Sequence, residues 1–232
     1  MGQKEKIKAF KELCSFIKTH PTTISVYSEN WGRGYTTQRD WASSIKCYIH
    51  KQKHPFFYTR KDYLNDALLD LTMTESSLTI EKMALESQAI SLLLRAGATP
   101  NHSCNGYSVF QRFNDAGKIH GMIEIAKSPD FIRPDGLDKI YEGLPSLGPY
   151  CHGVPYLEPE YQEYKKELVC TLFQKGMYPT NPKVFEKLAP VVLEKEPEFF
   201  NQKKKEVVTK LQRAKTPIQI YNALMGKRKE KN

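Results

Sequence analysis

Cys47, His50 and His54 fall at i, i+3 and i+7, which puts them on one side of a helix with side chains that zinc accepts. No fourth ligand accompanies them, and Pro55 follows at once. They read as a helix end with two solvated histidines, and no metal is expected. Cys151-His152, in GPYCHGVP, is a second chemistry-bearing pair. A loop thiol becomes a nucleophile when a base takes its proton. Adjacent residues rarely face each other, so the base would come from His102 or His120. A loop cysteine packed under tyrosines is the competing reading. Gly32-Arg33-Gly34, between Trp31 and Tyr35, offers backbone donors and a guanidinium that suit phosphate or a base, or simply forms a glycine turn. Lys203, Lys204, Lys205, Lys210, Arg213 and Lys215 lie opposite Val207, Val208, Leu211 and Ala214. Such a basic face binds nucleic acid, acidic lipid or acidic protein, or solvates a terminal cap. The chain has no GxGxxG, P-loop, HExxH, GxSxG or kinase motif, and no cofactor is expected.

The bounds on these groups come from composition. The 232 residues can bury a core without staples. The formal charge of +9 is concentrated at the ends: residues 201–232 carry +8, residues 1–20 carry +3, and the remainder sums to −2. The pI of about 9.2 therefore describes two basic ends around a nearly neutral body. Five scattered cysteines without a CxxC suit a reducing, cytoplasmic setting. No run approaches the roughly 18 apolar residues of a membrane helix. MGQKEKIKAFKEL lacks a secretory apolar segment, and Lys6 stands where myristoylation wants Ser or Thr. The expectation is a soluble, unlipidated chain.

Hydrophobic spacing supplies the elements. Ile7, Phe10, Leu13, Cys14 and Ile17 predict a helix over 3–19, ended by His20-Pro21. A helix over 38–52 would place Trp41, Ile45, Tyr48 and Ile49 on one face. Tyr63, Ala67, Leu68 and Leu71 mark a helix over 59–73. The helix over 77–95 has Leu78, Met83, Leu85, Ala89, Ile90, Leu93 and Leu94 inward and Gly97 as its stop. Short helices follow at 108–114 and 118–127. Residues 128–159 are dense in proline and glycine and oppose a long element, with a turn or two of helix allowed near Leu137–Tyr141. Further helices are expected at 160–175, 182–195, 203–214 and 217–225.

The chain partly repeats itself. Leu93-Leu94-Arg95-Ala96-Gly97 is answered by Leu172-Phe173-Gln174-Lys175-Gly176. Val109-Phe110-Gln111-Arg112-Phe113 is answered by Val184-Phe185-Glu186-Lys187-Leu188, and Pro129-Asp130-Phe131 by Pro197-Glu198-Phe199, in the same order. Within the first copy, Leu93, Leu94, Gly97, Ala98 and Asn101, then Gly106 and Ser108, Phe110, Gly117, and Ile123 with Ile125 or Ala126, carry a pattern over residues 92–126. That pattern resembles the ankyrin-repeat family. It departs from the family where T-P-L-H becomes Ser108-Val109-Phe110-Gln111 and the paired alanines become Phe113-Asn114.

The resemblance implies a mainly α fold: stacked helix–turn–helix pairs forming a short, interrupted ankyrin-like solenoid with an irregular Pro/Gly-rich insert. One repeat cannot bury its own faces, so neighbouring pairs are required. The expected organisation is an N-terminal helical region (1–57), helical pairs with the ankyrin-like repeat (58–127), the insert (128–159), and a C-terminal helical region with the degenerate copy and basic tail (160–232). The implied function is non-enzymatic binding of a protein partner. Its turn residues Asn101, His102, Asn105 and Tyr107 would form the surface. Short diverged proteins of this kind include effectors that intracellular bacteria deliver into the host cytosol. The alternatives are an enzyme using Cys151 or His152 around the insert, and a nucleic-acid or anionic-membrane binder using the C-terminal basic helix.

Overall fold

The first helix forms where its spacing predicts, over Gln3–Thr19 (α1), with Ala9, Leu13, Phe16 and Ile17 buried. In the computed structural model the described residues are 2–20, 25–29, 36–50, 59–74, 79–144, 158–199 and 217–226. They are mainly helical. The expected helix over 203–214 lies outside them, as does Leu78.

The helix expected over 38–52 is corrected. Residues Thr36–Asp40 form a strand (β2), paired antiparallel with Ser25–Glu29 (β1) in the register Ser25 opposite Asp40. Thr36 and Thr37 are β-branched and favour the extended form. Asp40 then turns the chain: its carboxylate accepts from the Ala42 N–H at 2.9 Å, and its carbonyl accepts from Ser43 Oγ at 2.6 Å. The helix therefore starts late, over Ser43–Ile49 (α2). Trp41 is buried from the turn, whereas Tyr48 and Ile49, expected inward, are 37% and 41% exposed.

Side-chain caps close several helix starts. Thr59 caps Arg60–Thr72 (α3) by accepting from the Asp62 N–H, while Asp62 Oδ2 accepts from the Thr59 N–H at 2.6 Å. Thr79 caps Ile80–Ala96 (α4) through the Lys82 N–H. Ser108 caps Val109–Asp115 (α5) through the Gln111 N–H, and Gln111 Oε1 accepts from the Ser108 N–H in return. Ile119–Lys127 (α6) follows α5 across a short turn. Between α4 and α5 stands a small hairpin, Ser103–Cys104 (β3) paired with Tyr107–Ser108 (β4).

Two units divide the chain, one of residues 1–134 with 148–161, the other of residues 135–147 with 162–232. In the first unit α4 is central, packing on α1, α3 and α6, while α5 packs on α3 and α6 and α2 packs on α3. The α5–α6 contact is close: a Cβ at Gly121 would sit 2.5 Å from the Phe113 ring. On α4, Leu85 and Leu94 are only partly covered, while Leu92 and Glu86 are buried.

The second unit contains Leu137–Gly143 (α7), the short helix allowed within the insert. It also contains most of Glu158–Gln174 (α8), all of Pro182–Lys195 (α9), and Pro217–Gly226 (α10), which packs on α9. Its core is aromatic. Phe173 lies 5.4 Å from Phe185 and 5.2 Å from Tyr178, and Phe185 lies 5.2 Å from Tyr221.

The two segments that match in sequence share local geometry at the first and third blocks. In the first segment, Gly97 (φ 118°) closes α4 with Gly97 N–H to Leu94 O at 3.1 Å and Ala98 N–H to Leu93 O at 2.9 Å. In the second segment, Gly176 (φ 70°) closes α8 with Gly176 N–H to Phe173 O at 2.8 Å and Met177 N–H to Leu172 O at 3.0 Å. Both are Schellman closures, which need a left-handed residue. At the second block Phe110 and Phe185 are both buried, but Phe110 is the second residue of α5 and Phe185 the fourth of α9. Phe131 and Phe199 end the copies, each 5% exposed and each donating its N–H three residues back, to Ser128 O and Glu196 O.

Gly121→Ala should cost about 1–3 kcal/mol through overpacking against Phe113, read by chemical denaturation. Adding Phe113→Leu should restore part of that loss, and no restoration would mean that the α5–α6 approach is not the cause.

Candidate functional site

The hairpin between α4 and α5 is the most defined surface feature of the first unit. Its two-residue loop is Asn105-Gly106, with φ of 54° and 78°. Positive φ at both positions matches the type I′ turn, whose twist suits a two-residue hairpin. Asn-Gly is the usual signal for it and was open to sequence reading. Tyr107, directly after the loop, is 55% exposed. The Arg112 guanidinium lies 6.0 Å from its ring centroid, and Arg112 Nη2 donates to Cys104 O at 3.0 Å, so α5 braces the hairpin from behind.

The four sequence-predicted surface residues have different roles. Asn105 and Tyr107 are exposed at the hairpin. Asn101 spends its side chain on the loop after α6: Nδ2 donates to Asp130 O at 2.7 Å, and Oδ1 accepts from the Ile132 N–H at 3.0 Å. His102 is half-buried, and its backbone bonds to Thr99 and Val109 hold the hairpin base. Ile132, not anticipated from sequence, is 65% exposed on the loop that Asn101 holds. The Thr99 N–H donates to Asn65 Oδ1 of α3 at 2.8 Å, anchoring the loop that leads from α4 into the hairpin.

Within the first unit lies a sealed polar cluster. Glu86 of α4, Lys118 of the α5–α6 turn and His120 of α6 have side chains 1%, 0% and 1% exposed. Lys118 Nζ donates to both Glu86 oxygens at 3.2 Å, to Leu71 O at the end of α3 at 2.9 Å, and to Thr74 Oγ1. His120 Nε2 lies 2.8 Å from Glu86 Oε2, and Thr74 Oγ1 lies 2.7 Å from Glu86 Oε1. His120 Nδ1 has no hydrogen-bond partner among the described residues, which fits the tautomer that carries its proton on Nε2. Gly117 (φ 67°) aims Lys118 inward, and the Gly117 carbonyl accepts from Tyr161 Oη at 3.0 Å.

Burial alone would push the Glu86 carboxyl up. The His120 hydrogen bond, the Lys118 charge and the Thr74 hydroxyl outweigh it and hold Glu86 below the usual carboxylate range. Burial pulls the Lys118 amine below the ordinary lysine value, and Glu86 offsets only part of that. The asymmetry follows from the neighbours: Glu86 meets three donors, two of them cationic or ionisable, while on Lys118 the like charge of Lys82 adds to the effect of burial. Lysine, carboxylate and imidazole together are the makings of acid–base chemistry, but no substrate reaches groups sealed this way. They act as a structural tie. The signal for it was present in the sequence, since Glu86 stands on the apolar stripe of α4, three residues from Met83 and from Ala89, where an unpaired charge is too costly to keep.

The other chemical candidates fall elsewhere. Cys47 and His50 sit at the end of α2, while His54 lies outside the described residues. Among the described residues no three His, Cys, Asp or Glu side chains are grouped to hold a metal ion. Cys151, His152 and the basic residues Lys203, Lys204, Lys205, Lys210, Arg213 and Lys215 lie outside the described residues, as does Gly32-Arg33-Gly34. Among the described residues no helix is long and apolar enough to cross a membrane. No protein-family model, curated protein or solved structure matches the chain.

Lys118→Met should cost about 3–5 kcal/mol, because it leaves Glu86 buried without its main cation. The double change Glu86→Gln/Lys118→Met should cost less than the single one in urea unfolding. The pH dependence has a definite sign. Glu86 titrates lower folded than unfolded, so its contribution is complete above the ordinary glutamate value of about 4.3 and fades as pH falls through the lowered folded value. Wild type should therefore lose stability over that acid range more steeply than Glu86→Gln. Equal slopes would remove Glu86 from the account.

Proposed function

We propose that the chain is a non-enzymatic protein–protein interaction module whose first unit is a short ankyrin-like helix stack and whose hairpin edge meets the partner. The observation that carries this reading is Tyr107, 55% exposed on a type I′ hairpin and braced by Arg112. Single exposed apolar residues are ordinary on a protein surface. A tyrosine held in one place by its own scaffold is different: it offers a large contact area at small entropic cost, which is why tyrosine is enriched among residues that dominate interfaces. Ile132 adds a second exposed apolar side chain on the loop that Asn101 ties to the hairpin base.

Support for the ankyrin-like part comes from the succession α3–α4, hairpin, α5–α6. Each pair is too short to bury both faces alone and each packs on its neighbour through α3 and α4. The recurrence of the same closures around Gly97 and Gly176 points to a repeated unit. The sealing of Glu86, Lys118 and His120 favours binding over catalysis, since it spends the best acid–base set among the described residues on holding turns. The free thiols Cys14, Cys104 and Cys170 support a reducing, cytoplasmic setting.

The double variant Tyr107→Ala/Ile132→Ala tests the edge. Both side chains are exposed, so unfolding stability should stay within about 0.5 kcal/mol of wild type. Quantitative capture from a eukaryotic lysate should return a partner with wild type that the variant retains about tenfold less well or worse. A partner recovered equally by both proteins would refute the hairpin edge as the binding surface.

A further inference from the structure

On the N-terminal side of the first unit, α1 and α2 enclose a groove of about 600 Å³. Its apolar surface comes from Phe10 and Cys14 of α1 and from Tyr48 and Ile49 of α2. The Phe10 and Tyr48 rings meet edge to face at 5.7 Å and form one wall. Burial pushes the Cys14 thiol up, as expected of a small apolar floor residue, although nearby Lys18 opposes it. Ile49 is 41% exposed, and Ile7, one turn earlier on α1, is exposed to the same extent.

The rim is basic and regular. Lys11 and Lys18 line the groove, and Lys4 continues their row. Residues seven apart on a helix return to nearly the same direction, drifting by only about 20°. At 1.5 Å rise per residue the three ammonium groups leave the helix at intervals of about 10.5 Å. No carboxylate pairs with Lys4, Lys11 or Lys18 among the described residues, whereas Lys46 of α2 is already paired with Asp40.

We propose that this groove is a docking site for an acidic amphipathic helix of a partner protein. Its apolar side chains would insert between Phe10 and Ile49, and its carboxylates, seven residues apart, would face Lys11 and Lys18. Charge complementarity chooses among the occupants. A second copy of this chain docked symmetrically would set one lysine row against the other, and like charges at that spacing repel. An anionic membrane would satisfy the lysines, but it is flat and takes up protruding apolar side chains. A concave groove is filled by side chains that project into it, as in other helix-in-groove contacts. The groove is separate from the Tyr107 edge, and the proposal goes beyond the function proposed above.

The test uses the full chain and two synthetic helical peptides labelled for fluorescence anisotropy. One has leucines along one face and glutamates at seven-residue intervals beside it; the other has lysine in place of each glutamate. The acidic peptide should bind, more weakly as salt rises, and the lysine peptide should not. Lys11→Glu/Lys18→Glu and, separately, Ile49→Asp should each lower the affinity about tenfold while leaving the circular-dichroism melt unchanged, because all three side chains lie at the surface. Tyr107→Ala/Ile132→Ala should bind the peptide as wild type does, which separates this groove from the hairpin edge. Bound peptide should also protect Cys14 from alkylation in residue-resolved mass spectrometry. Failure of the acidic peptide to bind, equal binding of both peptides, or insensitivity to the lysine reversal would overturn the proposal. So would lysine-dependent flotation with phosphatidylglycerol vesicles in the absence of peptide binding.

Discussion

The first unit depends on one buried interaction, the insertion of the Lys118 ammonium between the Glu86 carboxylate and the end of α3. The last carbonyls of a helix lack intrahelical partners and carry partial negative charge. Lys118 meets one of them, Leu71 O, at 2.9 Å, and both Glu86 oxygens at 3.2 Å. One side chain thus joins the α3–α4 connection, the middle of α4 and the α5–α6 turn. Buried ion pairs add little net stability over apolar packing. Their effect is on alternatives, because any shift of either turn strands a charge in a low-dielectric interior. Two neighbouring helix pairs are thereby held in one relative arrangement.

The hairpin surface has fixings of its own. The hairpin is fixed at its base by Asn65 and His102, at its back by Arg112, and to the next loop by Asn101. Loops carry function when a rigid scaffold presents them, and a two-residue turn leaves little freedom to lose on binding. On α1 the situation differs. There the helix itself is the scaffold, and a nearly neutral protein body leaves the lysine row as a local field. The +3 charge of residues 1–20 is consequently a feature of one helix face as much as of a chain end.

Much of the helical framework was legible from the sequence because its signals are local. Thr59, Ser108, Gly97 and Gly176 each act within one turn of where they stand, and each does what its type predicts. The strand over Thr36–Asp40 was not, because apolar spacing from Trp41 onward matched a helix and the Asp40 turn that delays it depends on side-chain bonds. The hairpin was half legible: Gly106 stands at a repeat position, while the type I′ turn of Asn105-Gly106 is flanked by strands of only two residues, too short to carry an alternating pattern. Asn101 is expected on the binding surface, and its amide also donates to Asp130 O and accepts from the Ile132 N–H, bonds that no local rule foretells.

What the sequence determined by itself is where most of the helices begin and end and much of the face each buries, since capping and periodicity operate over a few residues. Only the tertiary structure decided which polar groups are sacrificed to hold the helices together. Glu86 and Lys118 are 32 residues apart, and Lys118 and Leu71 are 47 apart. No local rule reaches that far. The desolvation of a charge, which forces it to find a partner, takes effect only once packing has removed the water.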